Sequence, residues 1–207
     1  MTRAGTAGKL RVDAARNRER LLAAADRVFA ERGLDAGVDE VAREAGVGIG
    51  TLYRRFETKS DLIDALVETA MRQIVDIARD AATTPGGRGL EAYLEAASAF
   101  QAAHRGCLAG LWTYHRDRQL AAELRAVVKR LLEEAKRHGR VRDEVTETDI
   151  TMLLWSMRGV IETTGDAAPN AWRRHLTILL AGLRPAQPEL GARPLTRAQV
   201  QRVIRGT

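Results

Sequence analysis

Apolar residues recur every three or four positions along most of this chain, and no segment sustains the alternation of a strand, so the pattern predicts helices and an all-α fold. Leu21, Leu22, Ala25, Val28 and Phe29 line one face of a first helix, which the periodicity starts at Asp13 and Gly33 stops. Val38, Val41, Ala42 and Ala45 mark a short second helix closed by Gly46, and a third runs from Ile49 to Phe56. Two short helices joined by a glycine turn make a helix-turn-helix. Thr58 and Asp61 have the spacing of a capping box and open a fourth helix, whose stripe of Leu62, Ile63, Leu66, Val67, Ala70, Ile74 and Ile77 reaches about Ala82.

The run TTPGGRG, Thr83 to Gly89, is a loop by composition. Beyond it the sequence predicts helices over Leu90–Phe100, Leu108–His115, Leu120–His138, Thr148–Thr164 and Ala171–Leu183. The division expected is a basic flexible arm over 1–12, an N-terminal three-helix helix-turn-helix domain over 13–60, a larger helical domain over 61–184 and a loose tail over 185–207. Within that tail Thr196 is placed to begin a last short helix.

Composition narrows the function. With 207 residues, 45% of them hydrophobic, the chain has material for one or two packed domains. Lys and Arg outnumber Asp and Glu by 33 to 27, a formal +6, which suits a polyanionic partner but acquires meaning only from where the charge lies. Cys107 is the single cysteine, so no intramolecular disulfide forms and a reducing compartment is expected. The N-terminus has no apolar signal core and no run reaches the roughly 18 apolar residues of a membrane helix, so a cytoplasmic protein without membrane partners is expected.

The segment VAREAGVGIGTLYRRF, Val41 to Phe56, shows where charge and chemistry meet. Val41, Ala42 and Ala45 point inward, Gly46 allows the sharp turn, Val47 fills the angle, and Leu52 and Phe56 pin the third helix to the core. Gly50, Thr51, Tyr53, Arg54 and Arg55 are left facing outward. An aromatic between basic residues on an exposed face suits double-stranded DNA: Arg54 and Arg55 as forks for guanine, Thr51 and Tyr53 as phosphate holders. Lys59 at the start of the fourth helix adds a phosphate anchor, aided by that helix's N-terminus, and Arg43 on the second helix is a further phosphate candidate.

These residues resemble the TetR/AcrR family of bacterial repressors over about residues 16 to 66: the Ala45-Gly46-Val47 turn, Thr51, Leu52, Tyr53, the basic pair, Phe56, and Lys59 two beyond Glu57. The chain departs from that pattern at Gly48 and Gly37, N-cap positions where Ser or Thr is usual, losing a capping oxygen at both and a phosphate contact at Gly48. The resemblance implies a homodimer that reads a palindromic operator and releases it when a small-molecule effector binds the larger domain. Ile150, Leu153, Leu154, Met157, Val160 and Ile161, with Leu176, Leu179, Leu180 and Leu183, are the apolar rows for such a dimer. Tyr93, Phe100, His104, Leu108, Leu111, Trp112 and Trp155 are the candidate effector pocket, set against the plain alternative that they fill the core.

Other chemistries find less material. His104 and Cys107, three apart, could pair as base and nucleophile, yet no orienting carboxylate, oxyanion turn or phosphate loop accompanies them, so no catalytic residue is assigned. His115, His138 and His175 lack ligand spacing, so neither a metal nor a cofactor is expected. Arg105 close to Cys107 leaves a redox sensor as one alternative, and a DNA-binding regulator without small-molecule control is the other.

Overall fold

The computed structural model describes residues 4–105, 118–185 and 190–205. Among these it holds helices α1 (Ala4–Arg32), α2 (Val38–Glu44), α3 (Ile49–Tyr53), α4 (Lys59–Ala81), α5 (Gly89–Ala103), α6 (Arg118–Arg137), α7 (Glu147–Thr164), α8 (Ala171–Gly182) and α9 (Arg197–Arg205), and no strand. The helix expected at Leu108–His115 and Cys107 lie outside the described residues.

The chain forms two compact units: Met1–Thr69 with His104–His115, and Ala70–Ala103 with Arg116–Thr207. The division therefore falls inside α4 instead of at residue 60, because the first half of that helix completes the core of the first unit. Leu62, Ile63, Leu66 and Val67 of α4 are buried, as are Leu21, Leu22, Ala25, Val28 and Phe29 of α1. Val41 and Leu52, both 0% exposed, fix α2 and α3 on this core.

The helix α1 starts nine residues before the point that periodicity marks. Residues 4–12 carry no apolar stripe, so their helicity leaves no hydrophobic signature. Once Leu21–Phe29 anchor the helix, each further residue needs only one backbone hydrogen bond, and Ala7, Lys9, Leu10 and Arg11 are good helix formers.

In the second unit α5 packs against α6, α7 and α8. Its Leu90, Tyr93, Leu94 and Ala97 are buried, as are Leu131, Leu132 and Ala135 of α6, Ile150 and Met157 of α7, and Trp172 and Leu176 of α8. Gly89 opens α5 where a Cβ would stand 2.8 Å from the Ala81 carbonyl oxygen, backbone that cannot turn aside, so glycine is required at this close approach. A capping box starts α7, with the Thr146 amide donating to Asp149 Oδ2 at 2.8 Å and the Asp149 amide to Thr146 Oγ1 at 3.4 Å. The C-terminal tail is less loose than its prolines suggest: Thr196 and Gln199 cap α9 reciprocally, and Val200 is buried.

Candidate nucleic-acid interface

The geometry of α3 follows from its two apolar residues. Leu52 is fully buried and Phe56, four positions on, is nearly so, each holding its side of the short helix against the core. The opposite side carries Gly50 and Tyr53, both exposed, with Thr51 half-buried beside them; α3 ends at Tyr53, short of the Phe56 that periodicity predicts, so Arg54 and Arg55, also exposed, stand in the turn that follows it. Tyr53 is 48% exposed, a large aromatic surface that the core does not use. Arg54 Nη2 donates to Thr51 Oγ1 at 3.0 Å, so the two residues that the sequence separates into base reader and phosphate holder are one hydrogen-bonded pair.

The turn ahead of α3 is held from both ends. Gly46 has φ +66, which glycine adopts freely, and the Val47 amide donates to the Ala42 carbonyl at 3.0 Å. Arg20 of α1, a residue that sequence reasoning missed, donates from Nη2 to the Ala45 carbonyl at 2.7 Å. Its guanidinium thus satisfies an orphan acceptor at the negative end of the α2 dipole. No sequence signal marks such a contact, because 25 positions separate donor and acceptor. Arg27 pairs with Glu44 at 2.8 Å and Arg32 with Glu40, tying α1 further to α2.

Gly37 and Gly48 occupy the N-cap positions of α2 and α3 in extended backbone, as their places in the sequence predict, and neither supplies a side-chain cap. At Gly37 the Glu40 carboxylate partly compensates by accepting the Gly37 amide at 3.2 Å. Gly48 has no such helper among the described residues.

Two expected phosphate contacts are qualified by the structure. Arg43 leans toward Asp39 at 3.5 Å on an exposed face of α2, which offsets part of its charge. At the start of α4 the Asp61 amide donates to Thr58 Oγ1 at 3.1 Å and the Asp61 carboxylate accepts from the Thr58 amide at 2.9 Å. The capping box therefore occupies the helix end, and the anchor there is the Lys59 ammonium, which lies 6.0 Å from the Phe29 ring centroid.

An N-terminal helix-turn-helix with this outward face, followed by a larger all-helical unit, has clear relatives. A family model for bacterial regulatory proteins of the tetR family matches residues 21–66, and one for the C-terminal domain of SbtR-like transcriptional regulators matches residues 85–185. The crystal structure of a TetR transcription regulatory protein from Mycobacterium vanbaalenii is 36% identical, covering 84% of this chain and 99% of that one with a TM-score of 0.61. The chain belongs to the TetR family. A TetR transcriptional regulator from Streptomyces coelicolor is 32% identical over 82% of this chain and 99% of its own, with a TM-score of 0.59. An HTH-type transcriptional regulator of Staphylococcus aureus is 36% identical over 67 residues, and the match spans 32% of this chain and 36% of that relative's length. This TetR-family chain is accordingly a DNA-binding transcriptional regulator.

The described members of the candidate effector set have different surroundings. Tyr93 is 1% exposed, and burial pushes its phenol far above the ordinary range, so it stays neutral. Phe100 and Trp155 are half-buried on α5 and α7, while Leu108, Leu111 and Trp112 lie outside the described residues. His104 belongs to the first unit, where Nδ1 sits 2.7 Å from Asp26 Oδ2 of α1. A surface depression of about 320 Å³ lies elsewhere, between Lys136, Arg142, Asp143 and Pro185.

Sequence reasoning missed Ser98 and Gln101. They lie on α5 at 0% and 6% exposure, and Ser98 Oγ and Gln101 Oε1 have no hydrogen-bond partner among the described residues. Their signal is polarity at the inward register: positions 94, 97, 98 and 101 share one helical face, and two of the four are polar. No described helix is long and apolar enough to cross a membrane, and no described cluster of His, Cys, Asp or Glu could hold a metal.

Proposed function

We propose that this TetR-family chain binds a palindromic operator as a cytoplasmic homodimer, represses from it, and is released by a small-molecule effector. The observation that carries the DNA half is the division of labour on α3 and the turn that follows it: Leu52 and Phe56 hold the core, which leaves Tyr53, Arg54 and Arg55 exposed beside Thr51. Arg54 and Arg55 read bases, Thr51, Tyr53 and Lys59 hold phosphates, and the bare backbone at Gly48 and Gly50 allows close approach. A twofold dimer sets its two recognition helices about 34–36 Å apart, one turn of DNA.

Support for the effector comes from Ser98 and Gln101. A buried polar group without a partner costs about 1–3 kcal/mol, and a ligand that hydrogen-bonds both recovers that cost on binding. Tyr93, Phe100 and Trp155 are the apolar walls available to it. Of the rows expected for a dimer, Ile150, Leu153, Met157, Ile161 and Leu176 are buried in the protomer's own core, so what supports the dimer is Met152 and Ile178, exposed on α7 and α8, since burying them against a second copy removes that area from water.

The test is selection of binding duplexes from random DNA by the purified chain, followed by gel shift. An enriched palindrome is expected, bound at least tenfold more weakly after Arg54→Ala or Arg55→Ala with unchanged circular dichroism. Equal binding by both variants would overturn the assignment. Sedimentation checks the dimer, and a thermal-shift screen of metabolites checks the effector half.

A further inference from the structure

Ile49, the first residue of α3, stands 42% exposed although isoleucine is among the residue types most often buried. From residue 16 onward in the first unit, the exposed large apolar side chains among the described residues are Ile49 and Tyr53, the latter at 48%. They are four positions apart, so they share one flank of the helix with Cβ atoms roughly 5–6 Å from each other. Apolar residues scattered singly over a surface call for no account, but two side by side on the face proposed for DNA do.

Helix geometry orders this face. At roughly 100° per residue, Leu52 turns to the core and Gly50 lies almost opposite it, outward. Thr51 falls to one side of Gly50 and holds Arg54 through a 3.0 Å hydrogen bond. Ile49 and Tyr53 fall to the other. The exposed surface is thus divided into a polar flank and an apolar flank about a residue with no side chain. The space beside Ile49 is open, since a Cβ added at Gly48 or at Gly50 would meet nothing within 4 Å. Helix formation does not call for isoleucine here either: a β-branched side chain loses rotamer freedom in a helix and is a poorer helix former than alanine or leucine.

An isoleucine side chain neither donates nor accepts a hydrogen bond, so it gains nothing from phosphate oxygens or from the polar edges of the bases. The apolar group that a duplex displays in its major groove is the C5 methyl of thymine. We infer that Ile49 is a specificity-determining residue that reads a pyrimidine C5 methyl and so selects thymine at one position of each half-site without a hydrogen bond. This rests on the DNA-binding reading above. The contact is with the methyl and not with the base pair. Uracil, which keeps every hydrogen-bonding group of thymine, therefore fails at that position, whereas 5-methylcytosine satisfies Ile49 as thymine does.

The test is a double-mutant cycle between protein and DNA, measured on the full chain by fluorescence anisotropy with the selected duplex. Each thymine is replaced in turn by deoxyuridine, in both half-sites together, and each duplex is titrated with the unaltered chain, Ile49→Val and Ile49→Ala. Removing one methyl contact per half-site costs roughly fourfold in affinity, so the unaltered chain is expected to lose roughly tenfold or more at one thymine position. That loss should shrink in Ile49→Val and vanish in Ile49→Ala, while deoxyuridine at other positions costs all three proteins the same. Cytosine placed at the sensitive position should bind weakly, and its C5 methylation should restore affinity for the unaltered chain but not for Ile49→Ala. The circular dichroism of both variants should be unchanged, because the side chain is exposed. Deoxyuridine losses that persist in full in Ile49→Ala, or an Ile49→Ala variant that binds as the unaltered chain does, would overturn the inference. So would an Ile49→Ala weakening equal on thymine and uracil duplexes, which would assign Ile49 to the sugar backbone. All three leave the operator reading standing. Failure of the chain to select any duplex would remove that reading and the inference with it.

Discussion

The two units place their functional chemistry on opposite sides of their cores. In the first, Tyr53, Arg54 and Arg55 stand in solvent while the residues behind them are wholly apolar. In the second, Ser98 and Gln101 are buried, and Ser98 Oγ and Gln101 Oε1 have no hydrogen-bond partner among the described residues. A site for a macromolecule must be displayed, whereas a site for a small apolar molecule must be enclosed, and enclosure makes it resemble core. Substitution should therefore act with opposite sign in the two units: truncating the outward face changes binding without touching stability, while truncating the inward polar pair raises stability.

The largest expected effect tests the scaffold beneath that contrast. Leu52→Ala removes a fully buried side chain from α3 and should lower the unfolding free energy by about 2–5 kcal/mol. Urea unfolding with DNA binding as a parallel readout checks this. Loss of DNA binding is expected at concentrations where the second unit retains its helical signal, and a single concerted transition would break the picture of two separable units.

The next effect has the opposite sign. Ser98→Ala with Gln101→Met exchanges two unsatisfied polar groups for apolar ones of similar shape and should stabilise the second unit by about 1–3 kcal/mol. The same double variant should lose the thermal shift given by any ligand that stabilises the unaltered chain. Destabilisation would show that the two polar groups serve the fold.

The same contrast governs what is legible in the sequence. Helical periodicity locates α2 to α8 wherever a helix buries a stripe, and the turn at Gly46, the caps at Gly37, Gly48 and Thr58, and the outward face of α3 are all local patterns. The early start of α1 is silent because residues 4–12 carry no stripe. Contacts across long separations are silent for another reason: Arg20 with Ala45 and His104 with Asp26 are 25 and 78 positions apart, and neither partner is unusual in its own neighbourhood. Periodicity alone carries the face of Tyr93 and Phe100 one turn further to His104 and so makes it a pocket residue. The structure instead ends α5 at Ala103 and sets His104 on α1 of the first unit.

That pairing gives a smaller, pH-dependent prediction. The hydrogen bond to Asp26 raises the His104 pKa above 6.5, and partial burial opposes it. A folded-state pKa above the unfolded one means the imidazolium form is favoured by folding. The contribution is complete below about pH 6.5 and fades as pH rises through the raised value. With the His104 side chain 41% exposed, solvent screening limits it to a few tenths of a kcal/mol. Urea midpoints at pH 6 and pH 8 should differ in that sense for the first unit, and Asp26→Asn should remove the difference. An unchanged difference would assign it to other groups.

The smallest effect sharpens the comparison at a single cap. A Cβ added at Gly48 meets nothing within 4 Å, and the backbone there is already extended at φ −69, so Gly48→Ser fits without strain. The added hydroxyl caps α3 and should stabilise the first unit by a few tenths of a kcal/mol. The hydroxyl also stands beside the exposed face of Thr51 and Arg54, so operator affinity should rise about two- to fivefold, as one more neutral hydrogen bond to a phosphate allows. The same change at Gly37 is the control: its Cβ would fall 2.2 Å from Asp39 Oδ1, and Glu40 already accepts the Gly37 amide. Asp39 must turn aside there, the cap gains less, and no DNA-facing residue lies alongside. Equal affinity gains at both positions, measured by fluorescence anisotropy on the selected duplex, would mean that helix capping alone sets affinity, and the claim that Gly48 borders the phosphate path would fall.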